Sequence, residues 1–316
     1  MRAGPGRQLI DWRLPPSSTT GDKRRMIRAA CIALFTLSAC ATAQAQCPPA
    51  GYDRAALEAL KQSEWAMADA AARNAFAREM TSCLASPDSA LRDGYAFEAF
   101  AHLLRGRRLS NETMLALNTD LQARLRAPEG PGFERPFAAL VLSELARADR
   151  IEAYLTPAQR AQLLDAAITY FTSVRDYRGF SETEGWRHGV AHGADLLLQL
   201  SLNPSLGKPE LIRIRDAIET QVAPEEHFYI YGEPERIAYP IVFIARRGAL
   251  SEAEWSDWFA RFPAAGEDVF ASQAGLAWRH DVNAFLSALY VNAKASEDAN
   301  DDAMLPGIEA ALRAMP

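Results

Sequence analysis

Two of the chain's five histidines, His188 and His192, stand four residues apart in "GWRHGVAHGAD", with Asp195 a further turn on. Imidazoles at this spacing on one helix sit about 6 Å apart along the axis and can chelate a single ion. With a carboxylate to orient one of them, the same pair can act as base and acid without a metal. His188, His192 and Asp195 are therefore the candidate catalytic residues, and His188 and His192 the candidate ligands of a divalent metal cofactor.

The pattern around them reads as a helix over 184–201. On a wheel at about 100° per residue, His188, His192, Asp195 and Gln199 fall within an arc of about 80°, opposite Trp186, Val190, Leu197 and Leu200. Gly189 and Gly193 lower helix propensity by about 1 kcal/mol each relative to Ala, which points to a close contact with another helix. Asp195 lies about 10.5 Å along the axis from His188, too far to share its ion, so a metal would need ligands from elsewhere. Glu233 and Glu235, Asp176, or Asp93 and Glu98 could supply them. Without a metal, Arg178 or Arg236 could hold an anionic substrate, and Asp176, Arg178, Glu233 and Arg236 are the candidate ligand-binding residues. The stretch contains no HExxH, and the chain has no CxxC pair, P-loop, GxSxG or dinucleotide fingerprint. A third reading makes the histidines a polar seam that only bridges helices.

The elements that must position these groups read as helical throughout. Apolar residues recur at helical spacing, and no alternating strand pattern stands out. Helices are expected near 53–83 (broken around Glu64), 88–105, 110–126, 134–148, 157–174, 184–201, 208–222, 233–247, 251–261, 267–294 and 302–313. Start signals are Ser86-Pro87-Asp88, Ser110 with Glu112, Thr156-Pro157 and Ser251 with Glu252 and Glu254; stops are Gly106, Asn203-Pro204 and Gly248. The fold class is all-α. Element lengths suggest an α-α superhelix, a HEAT-like solenoid of helical hairpins, with an irregular closed α-bundle as the alternative. The irregular stretch from Arg175 to Thr183 leads directly into the histidine motif, and the aromatic run "HFYIYGEPER" at 227–236 either lines a pocket or packs a helix entry.

Residues 1–47 read as an export region and 48–316 as a single domain. Lys23, Arg24, Arg25 and Arg28 precede an apolar run from Ala29 to Ala39, shorter than the roughly 20 residues of a membrane span, and Met26 would begin a more compact signal. Two processing sites compete: Leu37-Ser38-Ala39-Cys40, which would leave a lipidated Cys40, and Ala43-Gln44-Ala45, which would leave a soluble periplasmic protein. The expected location is the periplasm, free or as an outer-membrane lipoprotein, with a lipid on Cys40 as the only membrane attachment. Of the four cysteines, Cys47 and Cys83 would remain in the mature chain, either as a disulfide or as two thiols. The whole chain carries a net charge of −6. Without its first 47 residues it has 27 basic against 38 acidic residues, which argues against nucleic-acid binding.

At "LRDGYAFEAF", "FERPFAALVL", "RDYRGFSETEGWRHGVAHGADLL" and "GEPERIA", in that order, the chain resembles the bacterial family known as domain of unknown function 2785. The resemblance covers most of residues 50–295. It implies a helical, repeat-like domain and no established activity. Arg187 and Gly189 depart from the family's pattern and leave His188, His192 and Asp195 in place. The leading functional expectation is an exported protein that binds a small polar or peptide ligand in a concave groove. The competing one is a hydrolase built on His188 and His192.

Overall fold

In the computed structural model, residues 46–262 and 269–316 are described. The expected helices at residues 110–126, 157–174 and 251–261 are there because their ends are chemically capped. Ser110 accepts the Thr113 amide and opens α4 (Asn111–Leu125). Thr156 and Gln159 form a reciprocal capping box at α6 (Pro157–Ser173), and Ser251 with Glu254 does the same at α10 (Glu252–Phe259). Each such cap supplies acceptors to amides that have no intrahelical partner. The other helices are α1 (Arg54–Gln62), α2 (Ala70–Glu79), α3 (Glu98–Arg105), α5 (Glu134–Ile151), α7 (Gly189–Ser201), α8 (Lys208–Glu219), α9 (Glu233–Arg246), α11 (Gln273–Lys294) and α12 (Leu305–Ala314).

The segment expected as one helix over 88–105 is a π-helix from Ala90 to Phe97, continued by α3. Helix α11 starts at Gln273, capped by Ser272, and residues 263–268 lie outside the described region. Residues 1–45, which hold Met26, Cys40 and nearly all of the segment expected to direct export, also lie outside it.

The helices pack in two rows. Helices α3, α5, α7, α9 and α11 follow one another in one row, α2, α4, α6 and α8 in the other, and α12 closes the end against α10 and α11. Each cross-row pair, such as α4 with α5 or α6 with α7, is a helical hairpin. Arg135 donates both to the Leu125 carbonyl at the end of α4 and to Ser173 at the end of α6, so these two row-mates run parallel. Gly193 is needed where α7 crosses α6, because a Cβ there would come within 2.8 Å of the Phe171 ring. The described residues belong to one compact unit spanning Gln44–Pro316, and none of its helices is long and apolar enough to cross a membrane.

One element departs from the all-helical expectation. Residues 184–188 are not the first turn of α7. Phe180–Ser181 (β1) and Gly185–Trp186 (β2) form a two-stranded antiparallel hairpin, with Phe180 opposite Trp186. The amides of Arg187 and His188 extend the pairing to the carbonyls of Gly179 and Arg178.

Candidate functional site

Helix α7 begins from His188, which holds a left-handed conformation (φ 54°, ψ 42°) at the N-cap. That backbone turn rotates the imidazole away from its expected place on the helix face. Trp186, expected on the opposite side, instead stacks on the His188 ring at 4.6 Å and 20°. The rings of His188 and His192 meet edge-on at 65° with centres 5.9 Å apart, and both residues are more than nine-tenths buried.

Their remaining neighbours come from the flanking helices of the same row. His192 meets the edge of the Phe137 ring, near the start of α5, at 5.1 Å. Burial holds it well below the usual imidazole range, and the positive charge of Arg236 adds to the effect, so it stays neutral. On the other side, Glu233 Oε1, at the first turn of α9, lies 3.5 Å from His188 Nε2. Burial opposes the charge on Glu233, but contacts from His188 and the amides of Glu233 and Tyr231 outweigh it and hold the carboxyl below its ordinary range. Asp195 is ion-paired with Arg236 of α9; burial raises its pKa more than Arg236 lowers it. The stripe on α7 thus ties α5, α7 and α9 together.

The expected metal ligands are not gathered around it. Among the described residues no group of three or more His, Cys, Asp or Glu side chains is placed to hold a metal ion. Asp93 pairs with Arg92, and Glu98 with Lys61. His188 borders a narrow void shared with Tyr177, Arg178 and Glu233.

Asp176 and Arg178, expected in the same groove as the histidines, pair with each other beside Pro131 and Gly132. They belong to an open cleft of about 670 Å³, whose walls include Arg175, Arg178, Arg187, Tyr177, His227 and Tyr231. Arg178 is matched by Asp176 and Arg187 by Glu184. Arg175 is exposed and bonds the carbonyls of Thr172 and Val174, and no carboxylate of the described residues pairs with it. Tyr177 stacks on His227 at 5.0 Å, and Tyr231 packs over Gly179, where a Cβ would strike its ring. Ile230 is 70% exposed at the cleft, and Phe180, Trp186 and Tyr231 form an exposed aromatic edge beside it.

Sequence reasoning missed Arg175, Tyr177 and Arg187 as members of this surface. The aromatic run at 227–236 was the available signal, and it divides. Tyr229 turns into the core, while His227, Ile230 and Tyr231 line the cleft.

Behind the hairpin, the Phe133 ring lies between two guanidinium groups, Arg92 and Arg187, each 4.2 Å from its centre. Arg187 Nε also donates to the Pro131 carbonyl, and Arg92 to the Glu184 carbonyl. These bonds fix the hairpin against the start of α5.

The cleft's other lip is fixed from α11. The Tyr229 amide donates to Asp281 Oδ1, while its hydroxyl donates to the Gln221 carbonyl. Asp281 is wholly buried with Oδ2 unpaired, and burial pushes its carboxyl up to about 6, against the Tyr229 bond and His280, which favour the charge. The folded state therefore binds a proton that the unfolded chain has released between about pH 4 and 6. The resulting stabilisation is complete below about pH 4 and is lost as pH rises through 6. Asp281→Asn imitates the protonated form. Its stability relative to wild type should rise across that interval and reach about 2–3 kcal/mol above pH 6.5. Parallel urea curves for the two proteins from pH 4 to 8 would show an unchanging difference if this assignment were wrong.

Residues 123–291, which contain the seam, the hairpin and the cleft, match a family model described as "Protein of unknown function (DUF2785)". No curated protein and no solved structure shows detectable similarity to the chain.

Proposed function

The chain belongs to this family of domain of unknown function 2785, and from that starting point we propose that it is a binding protein whose cleft takes a small molecule or peptide end carrying an anionic group beside a flat apolar one. One observation carries the reading. Arg175, without a carboxylate of its own, shares an open cleft with the stacked Tyr177–His227 pair and the ring of Tyr231. A guanidinium offers forked donors to a carboxylate or phosphate, and ring faces accept flat apolar groups. In this reading the α7 stripe holds the frame, and the cleft meets the ligand.

The mature protein works outside the cytoplasm, either free in the periplasm or lipid-anchored at Cys40. Support comes from the basic and apolar segments of the export region and from the disulfide that joins Cys47 to Cys83.

Calorimetry with N-acetylphenylalanine and its neutral amide tests the binding reading. The acid should bind and the amide should not, and the Arg175→Gln, Arg178→Gln double variant should lose roughly tenfold or more in affinity. Equal behaviour of acid and amide would sink it. The hydrolytic alternative has His188, with Glu233 behind it, as its base. Ester hydrolysis abolished by His188→Gln at unchanged melting temperature would favour that alternative.

A further inference from the structure

A second cavity lies on the other row of helices, in the furrow between α4 and α6, with a volume of about 510 Å³. Its chemistry differs from that of the cleft. Asn118, Thr119, Gln122, Gln159, Gln162 and Thr169 line it, and no aromatic ring does. Asn118 is 3% exposed, its Oδ1 is buried without a partner, and its side chain makes no hydrogen bond to any described residue. Packing alone would have favoured an apolar residue here, since a buried amide normally finds a partner.

The furrow's dimensions and symmetry narrow the occupant. Along α6 its polar positions run from Gln159 to Thr169, a rise of about 15 Å, which an extended chain covers in about four to five residues. A side-chain amide offers an acceptor and two donors in one plane, which complements the alternating C=O and N–H of an extended main chain. The ring faces on which sugars commonly stack do not line the furrow. Since α4 and α6 run parallel, Arg126 and Thr169 mark the same end. Arg126 is exposed and no carboxylate of the described residues pairs with it, whereas Asp165 is already engaged by Arg213.

We propose that the furrow between α4 and α6 is a peptide-binding site that reads the main chain of an extended segment of about four to five residues, with an acidic group at its Arg126 end. This site is independent of the cleft and does not rest on the function proposed for it.

Because the main chain supplies the contacts, acetyl-(Ala)4-Glu is a sufficient probe. In the full-length mature protein labelled with nitrogen-15, titration should move the side-chain amide signals of Asn118, Gln122 and Gln162 in a saturable way. The Gln162→Ala, Thr169→Val variant, altered only at exposed positions, should keep its melting temperature and bind roughly tenfold more weakly. The Arg175→Gln, Arg178→Gln variant should bind as wild type does. Saturable shifts of the same signals by maltotriose but not by the peptide would overturn the proposal in favour of a polyol site. No saturable shift with either probe, or peptide shifts that vanish only in the cleft variant, would also overturn it.

Discussion

Arg92→Ala is expected to lower folding stability by about 3–5 kcal/mol, which for a domain of this size lowers the melting temperature by roughly 10 °C or more. The side chain is wholly buried. Its Nε bonds Asp93, one terminal nitrogen bonds the Ser86 carbonyl, and the other bonds the Glu184 carbonyl 92 residues away. The face of the guanidinium covers Phe133 at 4.2 Å and Phe137 at 4.8 Å. Truncation takes the partner from the carbonyls of Ser86 and Glu184 and from the Asp93 carboxylate at once, all three in partly buried residues, and each group left unmet carries a desolvation cost. It also removes the link between the π-helix and the hairpin, so affinity for the ligand class proposed for the cleft should fall together with stability. Arg92→Lys should recover only part of the loss, because a point ammonium cannot span three acceptors in one plane. Urea denaturation of the three proteins decides the matter. A loss below about 1 kcal/mol would mean that water or neighbouring groups replace the guanidinium, and the residue would not be the hub described.

The distinction between what was legible and what was not follows the range of the forces involved. Capping residues act within four positions, so Ser110, Thr156 and Ser251 announce their helices in the sequence itself. The hairpin is fixed from a distance. Two-residue strands have no period to detect, and "GWRHGVAHGAD" fits a helical repeat from its first residue. What prevents that helix is tertiary: Arg92 holds the Glu184 carbonyl, Tyr231 lies over Gly179, and Gly185 adopts φ +74°. Once the helix starts at His188 and not at Glu184, the expected stripe loses its first member, and Trp186 moves to the histidine's own side.

The candidate site was legible to a similar degree. The residues chosen by chemical type do meet in pairs, Glu233 with His188 and Arg236 with Asp195. Their meeting depends on α9 docking beside α7, which nothing local specifies. Arg187 read as a departure from the family's pattern, yet it seals the back of the hairpin over Phe133. A cation on an aromatic face leaves no spacing signal, because the ring lies 54 residues earlier in the chain. The cleft was the least legible feature, since it is made by loops whose course is set by the helices they join.

Reduction of the Cys47–Cys83 disulfide should cost about 4 kcal/mol, nearly as much as the loss of Arg92. The bond closes a loop of 36 residues that holds α1, Trp65 and α2. In the unfolded chain this cross-link removes loop-closure entropy, and in the folded chain it secures residues 46–52 to the 3-10 helix Met80–Ala85 that carries Cys83. Few other contacts secure that segment: Gln46 accepts from Ser82, and Tyr52 packs on Phe76 at 4.8 Å. A melting curve in a phosphine reductant should therefore fall by roughly 8–16 °C, and the Cys47→Ala, Cys83→Ala variant should match it without reductant. If the variant and the reduced protein both melt with the oxidised one, the segment from Cys47 through α2 is held by its core contacts alone. The disulfide would then give no reason to place the protein in an oxidising compartment. If both fall together, a chain kept in a reducing compartment would lack that increment, and its stability would depend on the redox state around it.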